Sequence, residues 1–245
     1  KFICKIIFFK YRGKNKKMKR SEINNIIKEA KKFFNKHNFI LPPFGYWNLN
    51  DWKQKNKDKI DEIIDRSLGW DITDFGYNDF WKTGICVFTI RNGNQENIKK
   101  GSGKTYAEKL FFLEVDQSVP SHTHYVKIED VINRGGGLLG VELFNSKEDG
   151  TPDDSSSVIL SKDGEKVEFA PGEHFYLKPG ESITLVPGVY HKFWGSNEKV
   201  LVGEVSLAND DVNDNVFVEE VGRFPDIEED EEPYHLLVTD YDSFI

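Results

Sequence analysis

The stretch Pro120–Gly137, PSHTHYVKIEDVINRGGG, decides how the rest of the chain is read. His122 and His124 lie two apart, so on a strand both side chains fall on one face and can converge on one point. Glu129 follows four intervening residues later and reaches the same point if the chain turns back. Gly135, Gly136 and Gly137 supply a bend shortly afterwards. A second piece lies downstream in GESITLVPGVYH, residues 180–191, where a Pro187-Gly188 turn sets a single histidine, His191, at the start of a new strand. Three imidazoles and one carboxylate form a mixed nitrogen and oxygen set, which suits Mn2+, Fe2+, Co2+ or Zn2+ better than Ca2+ or Mg2+. Four protein ligands leave positions open in an octahedral shell, as a catalytic ion needs and a closed structural site does not provide. His37, His174 and His235 stand alone and read as surface or hydrogen-bonded core residues.

Around this stretch the chain is written in short apolar runs separated by turns. GICVFTIRNG (84–93), KLFFLEVDQ (109–117), SVILSKDGEKVEFAPG (157–172) and VLVGEVSLAN (200–209) follow at regular intervals. Asp163-Gly164 between two such runs signals a hairpin, because this pair tolerates the positive φ of a tight turn. Strands apolar on both faces imply a sandwich or closed barrel. Upstream, Ile23, Ile26, Ile27, Ala30, Phe33 and Phe34 trace one face of a helix from Ser21, its expected N-cap, to Asn38, with Pro42-Pro43 as the stop. A second helix is expected from about Asp51 to Leu68, with Ile60, Ile63 and Ile64 inward and Gly69 closing it. Residues 68–84 read as an irregular connection. The acidic run IEEDEE (227–232) reads as a solvated surface segment. The expected organisation is a leader over 1–17, an N-terminal helical extension over 18–82, a barrel over 83–215 and a C-terminal segment packing on it over 216–245.

Composition sets the limits. With 38% hydrophobic residues and 13% aromatics, the chain carries material for a packed core, which excludes disorder. A formal net charge of −8 argues against nucleic acid as the principal partner. Residues 1–17 hold seven lysines and arginines and no acid, and the only methionine is Met18, so the natural start is expected there. No run is long enough to span a bilayer. Cys4 and Cys86 have no metal or redox spacing, which points to a cytoplasmic protein without a disulfide framework.

HTHYVKIEDVINRGG resembles the first motif of the cupin superfamily, and GESITLVPGVYH resembles the second. The second departs from the usual pattern where Pro187 adjoins Gly188 and where Gly195 replaces a common asparagine. The resemblance implies a mainly β, single double-stranded β-helix (jelly-roll) barrel. A narrower likeness covers most of residues 45–240: YAEKLFFLEVDQSVPSHTHYVKIEDVINRGGG, LKPGESITLVPGVYHKFW and VGEVSLANDDVNDNVF are similar to the D-lyxose isomerase family of cupins. That family is implied to interconvert D-lyxose with D-xylulose, and often D-mannose with D-fructose, using Mn2+, as homodimers.

The residues themselves assign roles beside that likeness. Glu204 lies in an otherwise apolar strand, where a carboxylate is costly unless it is paired, ligating or catalytic. It is the candidate base for moving a proton between C1 and C2; the alternative is a core acid paired with Lys127 or Arg223. Lys127 is the candidate for stabilising oxyanion charge, against an exposed strand lysine. Glu142, Asp214, Arg223 and Trp194 are expected substrate contacts, with Asp210 and Asp211 as further substrate or dimer contacts. Two other functions stay open: a metal-dependent dioxygenase using the same four ligands with Fe2+, and a non-catalytic sugar-sensing or storage cupin.

Overall fold

The computed structural model describes residues 17–210, 213–222 and 226–245. All of the expected leader except Lys17, together with Cys4, Asp211 and Arg223, lies outside the described residues. Among those described, the strands run β1 (Met18–Lys19), β2 (Gly69–Thr73), β3 (Ile85–Asn92), β4 (Tyr106–Leu113), β5 (Ser118–His124), β6 (Glu129–Ser146), β7 (Pro152–Asp153) and β8 (Val158–Lys162). They continue as β9 (Glu165–Phe169), β10 (His174–Leu177), β11 (Ser182–Leu185), β12 (Val189–Leu207), β13 (Asn215–Phe217) and β14 (Ile227–Glu228).

Two long strands organise the barrel. β6 and β12 pair antiparallel from Val189↔Asn145 to Ser206↔Glu129. The first part of β12 pairs on its other side with β5, at His191↔His122, and its second part with β4, from Val200↔Leu113 to Leu207↔Tyr106. β6 likewise pairs with β11 at Glu129↔Leu185 and with β10 at Glu142↔His174. Each long strand thus serves two facing layers, the jelly-roll arrangement that the sequence motifs implied. The bend falls at the glycines: Gly136 sits at φ +93°, and a side chain there would collide with the Lys199 carbonyl. The β6–β12 register breaks opposite it, between Ser196 and Val200.

Alternation fills the interior. Val131, Leu139, Val141 and Leu143 of β6 meet Val189, Phe193, Val200 and Val202 of β12 in one buried cluster. On the outside, helix α1 (Arg20–Lys36) buries Ile23, Ile26, Ile27, Ala30 and Phe34 against Trp70, Ile72, Cys86, Phe88, Leu110 and Phe112. Each fully buried side chain of that size is worth about 1.5–3 kcal/mol. This second layer is why β3 and β4 are apolar on both faces.

Four expectations need correction. The helix expected over 51–68 is broken into Leu49–Lys53, a 3-10 turn Lys57–Lys59 and Asp61–Asp65. Residues 53–59 offer no apolar side chain to bury, and the Asn48 and Asn56 side chains instead cap backbone N–H groups locally. The connection over 68–84 begins as strand β2, paired with β3 at Trp70↔Phe88 and Ile72↔Cys86. The sheet therefore starts inside the segment expected to be helical extension. Ser21 does not cap α1; Lys19 holds the cap position without a side-chain bond, and Asp230 supplies the cap from outside by accepting from Ser21 N at 2.9 Å.

The acidic run is exposed, as expected of a solvated surface segment, and three of its carboxylates also clasp α1. Glu229 accepts from Arg20 Nε at 2.8 Å and Nη2 at 2.6 Å, and Glu231 from Asn24 Nδ2 at 2.6 Å. Asp240 accepts from Arg20 Nη1 and Nη2, both at 2.9 Å, so a fully buried guanidinium is held between two carboxylates. Beyond the run, Leu236 and Tyr241 pack with Trp52 and Ile60.

Candidate metal centre and cavity

Strand parity places His122 and His124 on the inner face of β5, and antiparallel pairing sets His191 directly opposite His122. Ligand atoms of the three imidazoles all lie within 4.8 Å of one another. Glu129 joins them from the start of β6, its Oε1 3.1 Å from His191 Nε2 and 3.3 Å from His124 Nε2. All four side chains are buried.

The donor set fits a divalent cation. His122 Nδ1 is 2.8 Å from the Pro120 carbonyl and His191 Nδ1 is 3.1 Å from that of Val189. Each contact commits the ring proton to Nδ1 and leaves Nε2 as a lone pair. Those two Nε2 atoms face each other at 3.1 Å, unfavourable for neutral imidazoles alone and suited to sharing a cation. Neither ring nitrogen of His124 completes a hydrogen bond, although both are buried. Burial, aided by His191 and His124, holds His122 well below the ordinary imidazole range. Burial and the nearby Lys127 lower His124 too. Burial alone would raise the Glu129 carboxyl, but Lys127 and the imidazoles of His124 and His191 hold it well below the carboxylate range. His122 and His124 are thus kept neutral and Glu129 ionised, the forms that ligate a cation.

Beside it opens a cavity of about 350 Å³, at the small end for a ligand pocket. One wall is apolar, with Phe75, Ile85, Val87, Phe111 and Phe193. The other is ionic. Lys127 Nζ lies 2.6 Å from Glu129 Oε2 and 3.4 Å from Glu204 Oε1. Glu204 Oε1 also accepts from Ser206 Oγ at 2.8 Å and lies 3.8 Å from Lys109 Nζ. Each of these contacts falls on Oε1. Both sequence readings of Glu204 meet here: it is paired with Lys127, and it lines the cavity.

Other expected contacts lie elsewhere. Glu142 and Trp194 sit on the outer face of the barrel, because Val141, Leu143 and Phe193 take the inward positions of the same strands. Glu142 Oε2 pairs with the exposed His174 Nε2 at 3.0 Å, and Trp194 packs edge-on against the His174 ring. Asp214 is buried but turned to backbone, accepting from the N–H groups of Tyr125, Val126 and Lys127 at 2.8–3.0 Å. It holds the loop that presents Lys127. Asp210 accepts from Asn213. His235 is the core residue expected, hydrogen-bonded to the Trp47 carbonyl, and burial brings its pKa down to about 4.

Five polar cavity residues were not singled out in the sequence: Lys109, Asp71, Thr73, Thr89 and Asn215. Lys109 carried the same signal as Glu204, a charge in the inward register of Phe111 and Leu113. Asp71 was hidden in the stretch read as irregular. Thr89 and Lys109 also line a second polar hollow of about 300 Å³ with Arg66, Asn92 and Asp210.

A jelly-roll barrel with three histidines and a glutamate converging beside a half-polar cavity defines a candidate metal-binding enzyme of the cupin type. The family model described as D-lyxose isomerase matches residues 18–241. A D-lyxose/D-mannose isomerase from Serratia proteamaculans is 44% identical over 231 residues, 93% of this chain and 100% of the relative. One from Escherichia coli O157:H7 is 42% identical over 230 residues, again 93% and 100%. The chain belongs to the D-lyxose isomerase family. Solved structures of lower identity share the fold. A mutant L-ribose isomerase from Acinetobacter sp. DL28 in complex with L-ribose aligns with TM-score 0.58 at 13% identity, covering 88% of this chain and 100% of that one. The unliganded Cellulomonas parahominis L-ribose isomerase aligns with TM-score 0.57 at 14% identity, covering 86% and 99%.

Proposed function

We propose that this protein is a metal-dependent aldose–ketose isomerase that interconverts D-lyxose with D-xylulose, and D-mannose with D-fructose, through a cis-enediol. The observation that carries this reading is the buried Glu204 carboxylate, facing the cavity one lysine away from the metal cluster. A cation held by His122, His124, Glu129 and His191 would supply electrophilic pull on the sugar's carbonyl and adjacent hydroxyl oxygens. Glu204 takes the proton from C2 and returns it to C1, while a second proton passes from the C2 hydroxyl to O1. Lys127 holds Glu204 in position and donates to the charge that develops on oxygen. The apolar wall limits water around the reacting carbon, while Asp71 and Thr89 offer groups for sugar hydroxyls.

Mn2+ is the metal we assign, on the mixed nitrogen and oxygen donor set. A homodimer acting in the cytoplasm completes the reading. It is supported by Tyr125, Val126 and Ile128, exposed at 71%, 47% and 44% on the loop beside the site, and by Cys86, a free buried thiol. No helix among the described residues is long and apolar enough to cross a membrane. The charged wall gives no support to a dioxygenase, whose pocket should be more apolar. The test is incubation of purified protein with D-lyxose and Mn2+ in deuterated solvent. The expected result is D-xylulose, with deuterium entering at the carbon that receives the transferred proton. Absence of both with Mn2+, Co2+, Zn2+ and Fe2+ in turn would overturn the assignment.

A further inference from the structure

Asp214 and Asn215 are neighbours with opposite tasks. The Asp214 carboxylate takes three backbone N–H groups from residues 125–127, which fixes β13 against the loop between the metal ligands. β13 then pairs with β5 at Asn215↔His124 and Phe217↔His122. Parity turns Asn215 and Phe217 towards the cavity, and both line it. Phe217 packs on the His122 ring, with centroids 5.1 Å apart and planes 28° from parallel. Asn215 Oδ1, in contrast, is buried without any hydrogen-bond partner.

A buried carboxamide oxygen left unpaired is unfavourable, and native proteins rarely keep one without a reason. The backbone carrying it is pinned on both sides, so the group is held in place before any ligand arrives. We propose that Asn215 is a substrate-positioning residue, whose carboxamide oxygen accepts a hydrogen bond from a hydroxyl of the open-chain aldose next to the metal centre. The inference rests on the isomerase reading and adds to it a residue that reads the sugar and holds no metal. An acceptor at this position favours polyols over apolar carbonyl compounds of the same size, because only a hydroxyl satisfies it.

Two variants separate the possibilities. Asn215→Leu keeps the size and removes the acceptor, whereas Asn215→Asp keeps an acceptor. The metal-loaded wild type and both variants are titrated by calorimetry with D-arabinitol, the alditol of D-lyxose, which cannot isomerise. Metal content and melting temperature are measured on the same samples. Asn215→Leu is expected to bind the alditol about tenfold more weakly and to raise KM for D-lyxose by a similar factor, the scale of one lost hydrogen bond. Its metal content and melting temperature should match the wild type, and Asn215→Asp should recover most of the affinity. Unchanged alditol affinity in Asn215→Leu, with the wild type binding normally, overturns the proposal alone. Loss of metal from Asn215→Leu overturns it as well, by making Asn215 a ligand. A wild type that neither binds the alditol nor isomerises D-lyxose overturns the function together with the proposal.

Discussion

Two buried clusters of charge can be set side by side. In the clasp on α1, all three guanidinium nitrogens of Arg20 are engaged by Glu229 and Asp240, and Asp240 Oδ2 also accepts the Leu237 N–H at 2.8 Å. In the cavity wall, Glu129, Lys127, Glu204 and Lys109 alternate in sign, yet atoms are left over beside them: both His124 ring nitrogens and Asn215 Oδ1. Both clusters are ionic and both hold buried charge, although Glu229 of the first is half exposed. The first is saturated and holds the molecule together; the second is unsaturated at the atoms a cation and a sugar would engage. Burial of charge alone does not distinguish structure from chemistry, whereas incomplete pairing does.

The comparison breaks most visibly at the metal ligands. His191→Ala should lose bound metal by elemental analysis and reduce isomerisation to background, while His174→Ala, on the outer face, should do neither. Full metal occupancy in His191→Ala would remove the centre as drawn. In the saturated cluster the effect should be on stability. Arg20→Met strands the buried Asp240 carboxylate, and loss of one partner from such a pair typically removes about 3–5 kcal/mol. The half-exposed Glu229 adds little to that figure. Urea unfolding would measure this, with turnover per folded molecule unchanged; a drop in turnover at full stability would mean the clasp reaches the site.

Glu204→Gln should show the reverse, retaining fold and metal while turnover falls at least about a hundredfold. Exchange of the C2 proton of D-lyxose with deuterated solvent should stop in parallel. Wild-type exchange in that variant would place the base elsewhere, and equal losses of melting temperature and activity would make Glu204 a second clasp. Lys127→Met should lower turnover less and still permit slow exchange.

The smallest expected effect lies between the clusters, at His235. Its folded pKa of about 4 is below its ordinary 6.5, so between those values the unfolded chain binds a proton that the folded chain does not. Stability should therefore fall as pH drops from about 6.5 through 4. Urea midpoints should converge between wild type and His235→Gln over that range; parallel curves would show that His235 is not the group titrating.

Much of the site was legible because strand parity is a rule of two. His122 and His124 share a face by spacing, and Glu204 stands out as a charge in an inward apolar register. The same rule, applied to VEL and HKFW, turns Glu142 and Trp194 outward, since their apolar neighbours claim the interior. It also turns Lys109 inward beside Phe111. The helical pattern of α1 was equally plain. What sequence spacing did not carry was contact across distance: the acidic run finds Arg20, Ser21 and Asn24 more than two hundred residues away, so its local composition matched that of a solvated tail. Asp214 and Asn215 share this difficulty, since β13 acquires its meaning only when it pairs with β5.

The clasp on α1 also has a consequence for how the protein is made. Helix α1 leaves the ribosome before the strands it covers, β2, β3 and β4. Glu229 and Asp240 follow Arg20 only after 209 and 220 residues. Until they emerge, Arg20 has neither of its carboxylates and the first turn of the helix lacks its borrowed cap. An amphipathic helix held only by its apolar face is a sticky intermediate during synthesis. Emergence of the acidic clasp, rather than formation of the helix, is then the event that locks α1 onto the barrel.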